Sequence, residues 1–167
     1  MRRLLIAVFL LLPFAAFAQS KADLAVGYNY QRNDQGNGYA NLNGWYGAFT
    51  WNLSDKVGLA FENDNNWGHF KGQSLNQHTF LAGPSFKFNS QGKVQPVIEL
   101  LAGDQRSSSP GDVNHAFNFQ PGLGFDVKVS KKVSLDLQPA GYSLAFPHGN
   151  ARHSYSAKVG LSFSLGG

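Results

Sequence analysis

Three polar side chains stand at one fixed distance beyond a repeated dipeptide. Glu62, Glu99 and Gln138 each lie five residues past the Val of a Lys-Val pair, in Lys56-Val57, Lys93-Val94 and Lys132-Val133. Two such carboxylates could do acid–base work if one substrate reached both. Asp126, Lys128, Asp136 and Lys158 add charges to otherwise apolar segments. The competing reading makes all seven a polar network inside a packed fold. Buried charges need partners, and Lys158 is the natural counter-charge for Glu62 or Glu99. The network is the reading adopted here, with no catalytic residue.

The remaining reactive side chains are scattered. His69, His78, His115, His148 and His153 have no metal-ligand spacing and no cysteine beside them, so no metal site and no cofactor are expected. His153 and Ser156 could pair as base and nucleophile only on one face. Alternation instead puts His153 with Tyr155 and turns Ser156 the other way. Trp67, His69, Phe70 and Lys71, in the segment 65–77, read as an exposed loop for surface contact. Arg106 and Arg152 could touch lipid phosphates. Asn52-Leu53-Ser54 matches a glycosylation sequon but falls at a tight turn, and is discounted.

The elements that must position these groups are strands. From Phe117 every second residue is apolar or Pro: Phe117, Phe119, Pro121, Leu123, Phe125, Val127, Val129. Asn118, Gln120, Asp126 and Lys128 lie between them. After Ser130-Lys131-Lys132 the alternation resumes through Val133, Leu135, Leu137 and Pro139. Successive side chains of a strand point to opposite faces, so this is a two-faced hairpin. The same pattern predicts eight strands: about 22–31, 43–53, 57–64, 78–88, 94–103, the two of this hairpin, and 154–165. Three connections are short (54–56, 89–93, 130–132). Four are long and polar (33–41, 65–77, 104–115, 143–153).

Like faces pair only if each short turn holds an odd number of residues, and all three do. In that register Glu62, Glu99 and Gln138 face Ala48, Gly83 and Gly124. At ~3.3 Å per residue they sit roughly 16 Å above the turns. Charges there on a lipid-facing side would cost about 2–4 kcal/mol each for Lys. The polar face is therefore assigned to the lumen and the apolar face to lipid. Tyr28, Tyr30, Trp45, Phe117 and Tyr155 fall towards one rim, and Trp51, Phe88 and Phe163 towards the other, as two aromatic belts.

Residues 1–18 read as a cleaved signal peptide: Arg2-Arg3, the apolar run Leu4–Phe17, then Ala16-Phe17-Ala18. Residues 19–167 are the barrel domain. Lys+Arg number 14 against 10 Asp+Glu, and two of those bases leave with the leader, so the charge excess gives no reason to expect nucleic acid. There is no Cys, hence no disulfide framework. No later apolar run reaches the length of a spanning helix.

The stretches NLNGWYGAFTWNLSDKVGL (41–59), HTFLAGPSFKF (78–88), GFDVKVSKKVSL (124–135) and VGLSFSL (159–165) resemble small bacterial outer-membrane proteins of the OmpA/OmpX-like class. The resemblance implies an all-β, eight-stranded antiparallel up-and-down transmembrane β-barrel. It implies a monomer in the outer membrane, placed by the barrel-assembly machinery. Outer-membrane lipid and lipopolysaccharide are then its partners, with room for an unidentified surface ligand. The expected role is structural or surface-interacting and non-catalytic. Alternatives are a narrow porin-like channel, a soluble lipocalin-like ligand-holding barrel, and a lipid A-modifying barrel enzyme.

Overall fold

The computed structural model describes residues 22–89 and 91–166; the leader expected over 1–18 lies outside them. Eight strands follow in order: β1 (Ala22–Asp34), β2 (Tyr39–Asn52), β3 (Val57–Phe70), β4 (Gln73–Lys87), β5 (Val94–Ser109), β6 (Asp112–Lys128), β7 (Val133–Ala145) and β8 (Arg152–Ser164). Each pairs antiparallel with its sequence neighbour, and β8 returns to β1, closing an up-and-down barrel. The seam pairs Leu24 with Phe163 and Tyr28 with Val159. The expected fold is the observed one. Closure removes both sheet edges, so every strand finds backbone partners on two sides.

The faces also fall as the alternation requires. Leu24, Val26, Phe49, Phe61, Phe80, Leu123, Val159 and Leu161 are exposed on the outside. Glu62, Asp64, Gln120, Gln138 and Lys158 are buried inside. Tyr28, Tyr30, Trp45, Phe117 and Tyr155 are exposed in the upper half, towards the rim opposite the short turns. Phe88 and Phe163 are exposed near the lower, short-turn rim.

Two of the short turns are built alike. In each, a Ser side-chain oxygen accepts the backbone N–H groups two and three residues on, Ser54 from Lys56 and Val57, and Ser130 from Lys132 and Val133. This is the physical content of the repeated Ser-x-Lys-Val. The third turn differs. Asn89 takes a positive φ of 53° and Gly92 N–H donates to its carbonyl. Phe88 then pairs with Pro96, so β5 overhangs and Glu99 comes opposite Ser85, not Gly83. A slip of two residues keeps every side chain on its face.

The four connections read as long loops are corrected more strongly. Strands of 13 to 17 residues run well past the nine to eleven or so that cross a bilayer. The segment 65–77 is the continuation of β3 and β4, joined by Lys71-Gly72 alone, with φ of 50° and 83°. Positive φ at both positions is the two-residue hairpin turn whose twist suits the strands. Pro110-Gly111 joins β5 to β6 in the same economical way, with Gly111 at φ 81°. Residues 35–38 and 146–151, the latter holding a 3-10 turn at Pro147–Gly149, complete the upper rim.

Strand β7 carries one irregularity. Pro139 and Ala140 are both exposed on the outside, between inward Gln138 and inward Gly141, and the register shifts against β6 and β8 there. One extra residue is a β-bulge, and Pro, which has no N–H to give the ladder, is at home in it. Strand β7 therefore continues to Ala145 instead of ending at Pro139, with Gly141, Ser143 and Ala145 turned inward.

Candidate functional site

Among the described residues the densest convergence of polar side chains is the lumen, and it is built in tiers. At the lower rim Lys87 Nζ donates to Asp23 Oδ2 at 2.6 Å and lies 3.5 Å from Asp126 Oδ2. Asn52 Nδ2 donates to the same Asp23 oxygen at 2.8 Å. A small cavity of about 40 Å³ lies above these groups.

The middle tier is the most deeply buried. Lys158 Nζ lies 2.5 Å from Glu62 Oε1 and 3.1 Å from Asp64 Oδ1. The three side chains are 1%, 3% and 4% exposed, so water cannot screen them. Gln120 donates to Glu62 at 3.3 Å, and Gln138 to Glu99 at 3.1 Å. The Tyr46 hydroxyl donates to Asp136 at 2.6 Å, while its ring lies 5.4 Å from the Lys158 ammonium, in cation–π range. Tyr46 also covers two glycines at the seam. A Cβ on Gly27 would meet the Val159 carbonyl oxygen at 2.2 Å, and one on Gly160 would meet the Tyr46 hydroxyl at 2.5 Å.

The upper tier is neutral. Gln77 donates to Gln31 at 2.9 Å and Asn33 to Gln77 at 2.7 Å. Asn118 donates to Gln105 at 3.0 Å and Ser143 to Asn118 at 2.9 Å. Ala40 with Leu42, Leu75 and Phe70 fills the gaps here, while Ala60 with Leu81 and Leu101 packs lower, at the depth of Glu62. Above them a cup of about 370 Å³ opens at the upper mouth, walled by Asp34, Asn114, His148 and Arg152 among others.

Of the seven network residues read from sequence, Glu62 and Lys158 form an ion pair. Glu99 and Gln138 form a hydrogen bond beside them, and Asp136 joins through Tyr46. Asp126 belongs to the lower tier with Lys87. Lys128 lies half-buried at the lower rim, opposite Ser134, away from the central chamber. Asp64, Tyr46, Lys87 and Asp23 are members that the spacing argument missed. Alternation alone places all four inside; Lys87, between Phe86 and Phe88, is the clearest case.

The surface-contact set is split. Trp67 and His69 are exposed on the outside of β3. Phe70 turns inward onto Ala40, Leu42 and Leu75, and Lys71 sits in the turn with its ammonium 5.3 Å from the Phe70 ring. His153 faces out against the Tyr142 hydroxyl, and Ser156 is buried inside, so the two cannot form a nucleophile–base pair. Among the described residues no group of three His, Cys, Asp or Glu side chains is placed to hold a metal ion.

No family profile matches the chain, and no curated relative matches it. Solved structures do. Neisserial surface protein A aligns with TM-score 0.70 at 14% identity, over 85% of this chain and 96% of that one. The attachment invasion locus protein of Yersinia pestis gives TM-score 0.60 at 16% identity, over 88% and 99%. The outer membrane protein OprG of Pseudomonas aeruginosa gives TM-score 0.62 at 11% identity, over 89% and 97%. At such identities the likeness concerns the fold. The chain is an eight-stranded, all-antiparallel, up-and-down β-barrel with the architecture of small bacterial outer-membrane barrels.

Proposed function

We propose that the protein is an integral, monomeric β-barrel of the bacterial outer membrane with a structural or surface-interaction role and no catalysis. One observation carries this reading: the wall is inside-out relative to a soluble barrel. Exposed Phe, Leu and Val cover its outside while Glu62, Asp64 and Lys158 are buried within. Water would penalise the first and leave the second without reason; lipid outside accounts for both. A soluble barrel holding an apolar ligand needs the opposite arrangement. The likeness to outer-membrane proteins supports the location.

Outer-membrane lipid, lipopolysaccharide and the barrel-assembly machinery are the partners this reading brings. A surface ligand would meet the upper rim, where Trp67, His69 and Lys71 project and the cup opens. A channel is disfavoured by the middle tier, where Tyr46, Leu101 and Lys158 pack into the lumen at 1%, 1% and 4% exposure. Fractionation with heat-modifiable migration in detergent gels tests the location. A soluble chain, or one whose migration ignores heating, would refute it. Planar-bilayer recording tests the channel: steady unitary conductance from the wild-type barrel would replace the structural reading with a porin-like one.

A further inference from the structure

We propose that the outer wall of β2–β6 holds a specific site for a phosphorylated, multiply acylated lipid of the lipid A class. The proposal rests on the reading that this wall faces lipid. A groove of about 510 Å³ runs across the outside of β2–β5. Its floor is small, at Gly47, Ala82 and Ala102, and its sides are Phe49, Phe61 and Phe80. Small residues between aromatic ones make a depression in the wall, and an apolar depression in lipid is filled by an acyl chain.

The chemistry directly above the groove differs from the rest of the wall. Four residues up β4 from Ala82 is His78, and four up β5 from Ala102 is Arg106, a rise of about 13 Å at ~3.3 Å per residue. One paired row runs Tyr28, Trp45, Asn65, His78, Arg106, His115. On β1 and β2 the row is aromatic, the usual belt. On β3–β6 it is amide, imidazole and guanidinium. His78 is held by the Asn65 side chain. Asp104 is the one outward carboxylate of this region, and His115 Nδ1 already engages it at 2.9 Å. Arg106 is exposed and, among the described residues, joins no ion pair. A guanidinium at a membrane interface, beside an acyl-sized groove, is suited to a phosphate on the headgroup of the lipid that fills the groove.

The test is native mass spectrometry of the barrel refolded in an uncharged maltoside detergent and titrated with diphosphorylated lipid A. Phosphatidylcholine and inorganic phosphate serve as parallel probes. The expected result is one lipid A retained per barrel, with at least fivefold weaker retention of phosphatidylcholine and none of phosphate. Arg106→Gln and the groove-filling Ala102→Leu should each weaken lipid A retention at least fivefold. Arg32→Gln, which removes another outward arginine, should leave it unchanged. Heat-modifiable migration confirms that each variant is folded; if Ala102→Leu does not fold, Phe80→Ala removes a groove wall instead. Retention unchanged in Arg106→Gln or in the groove variant overturns the site. So does equal retention of phosphatidylcholine, equal loss in Arg32→Gln, or phosphate held as tightly as lipid A. A folded barrel without retention would sink this site while leaving the outer-membrane reading intact, which fractionation tests separately.

Discussion

Replacing Lys158 by Met is the sharpest test of the lumen. The ammonium lies 2.5 Å from Glu62 and 3.1 Å from Asp64, and all three side chains are nearly sealed from water. Met keeps the volume and the apolar stem but removes the charge. Two carboxylates are then left facing each other at mid-depth with no counter-ion. Breaking a buried pair in this way costs about 3–5 kcal/mol. With a urea slope of about 2 kcal/mol per molar, the unfolding midpoint of the detergent-refolded barrel should fall by roughly 2 M. Glu62→Gln on top of Lys158→Met should recover at least about 1 kcal/mol, because neighbouring changes in one network are not additive. Lys87→Met provides the internal scale. Its side chain is 16% exposed near the rim, so it should cost less, about 1–2 kcal/mol. The reasoning fails if Lys158→Met stays within about 1 kcal/mol of wild type, or if Lys87→Met proves the more damaging change.

Three further outcomes follow from backbone geometry. Gly27→Ala should prevent a heat-modifiable barrel from forming, because its Cβ would lie 2.2 Å from the Val159 carbonyl oxygen across the seam; a folded Gly27→Ala variant of wild-type midpoint refutes this. Lys71→Asn should stabilise by roughly 0.5 kcal/mol in urea titration, since Asn tolerates the positive φ of 50° better than Lys. Deleting Ala140, the extra residue, should remove the bulge yet keep Gly141 inward and Tyr142 outward in unbroken alternation, so the barrel should still refold, read on detergent gels; loss of refolding refutes this. Deleting both Pro139 and Ala140 should instead turn Tyr142 into the lumen, and the refolding yield should collapse.

The lower two-thirds of the barrel was legible because one face is apolar and the other is not. There a period of two survives in the letters: Phe80, Ala82, Pro84 and Phe86 against Leu81, Gly83, Ser85 and Lys87. Above the aromatic belt both faces are polar. In Asn65–Gln77 the inward Asn66 and Gln77 look no different from the outward Asn65 and Asn76, so real strand reads as loop. Lys71-Gly72 and Pro110-Gly111 were the available signals, each a two-residue turn inside a segment taken to be irregular. The bulge at Pro139-Ala140 was hidden for another reason: the alternation simply resumes one residue out of step. The charged network was found by spacing from the turns, which finds members at one depth, Glu62, Glu99 and Gln138, and passes over Asp64 one step higher and Lys87 near the rim.

Tyr46 sets an order of events. This single β2 side chain donates to Asp136 on β7, lies under the ammonium of β8 and covers the glycines where β1 meets β8. The ion pair beside it joins residues 96 apart in the chain, and the tyrosine bond joins residues 90 apart. Contacts so distant in sequence form late. Until β7 arrives Tyr46 has no carboxylate, and until β8 arrives Glu62 and Asp64 have no ammonium, so on the proposed membrane reading a half-built sheet would carry unpaired acids toward the middle of a membrane. On that reading, insertion to full depth and closure of the ring would be one step. The C-terminal strand that supplies Lys158 would then be the piece whose arrival lets the N-terminal hairpins complete their descent.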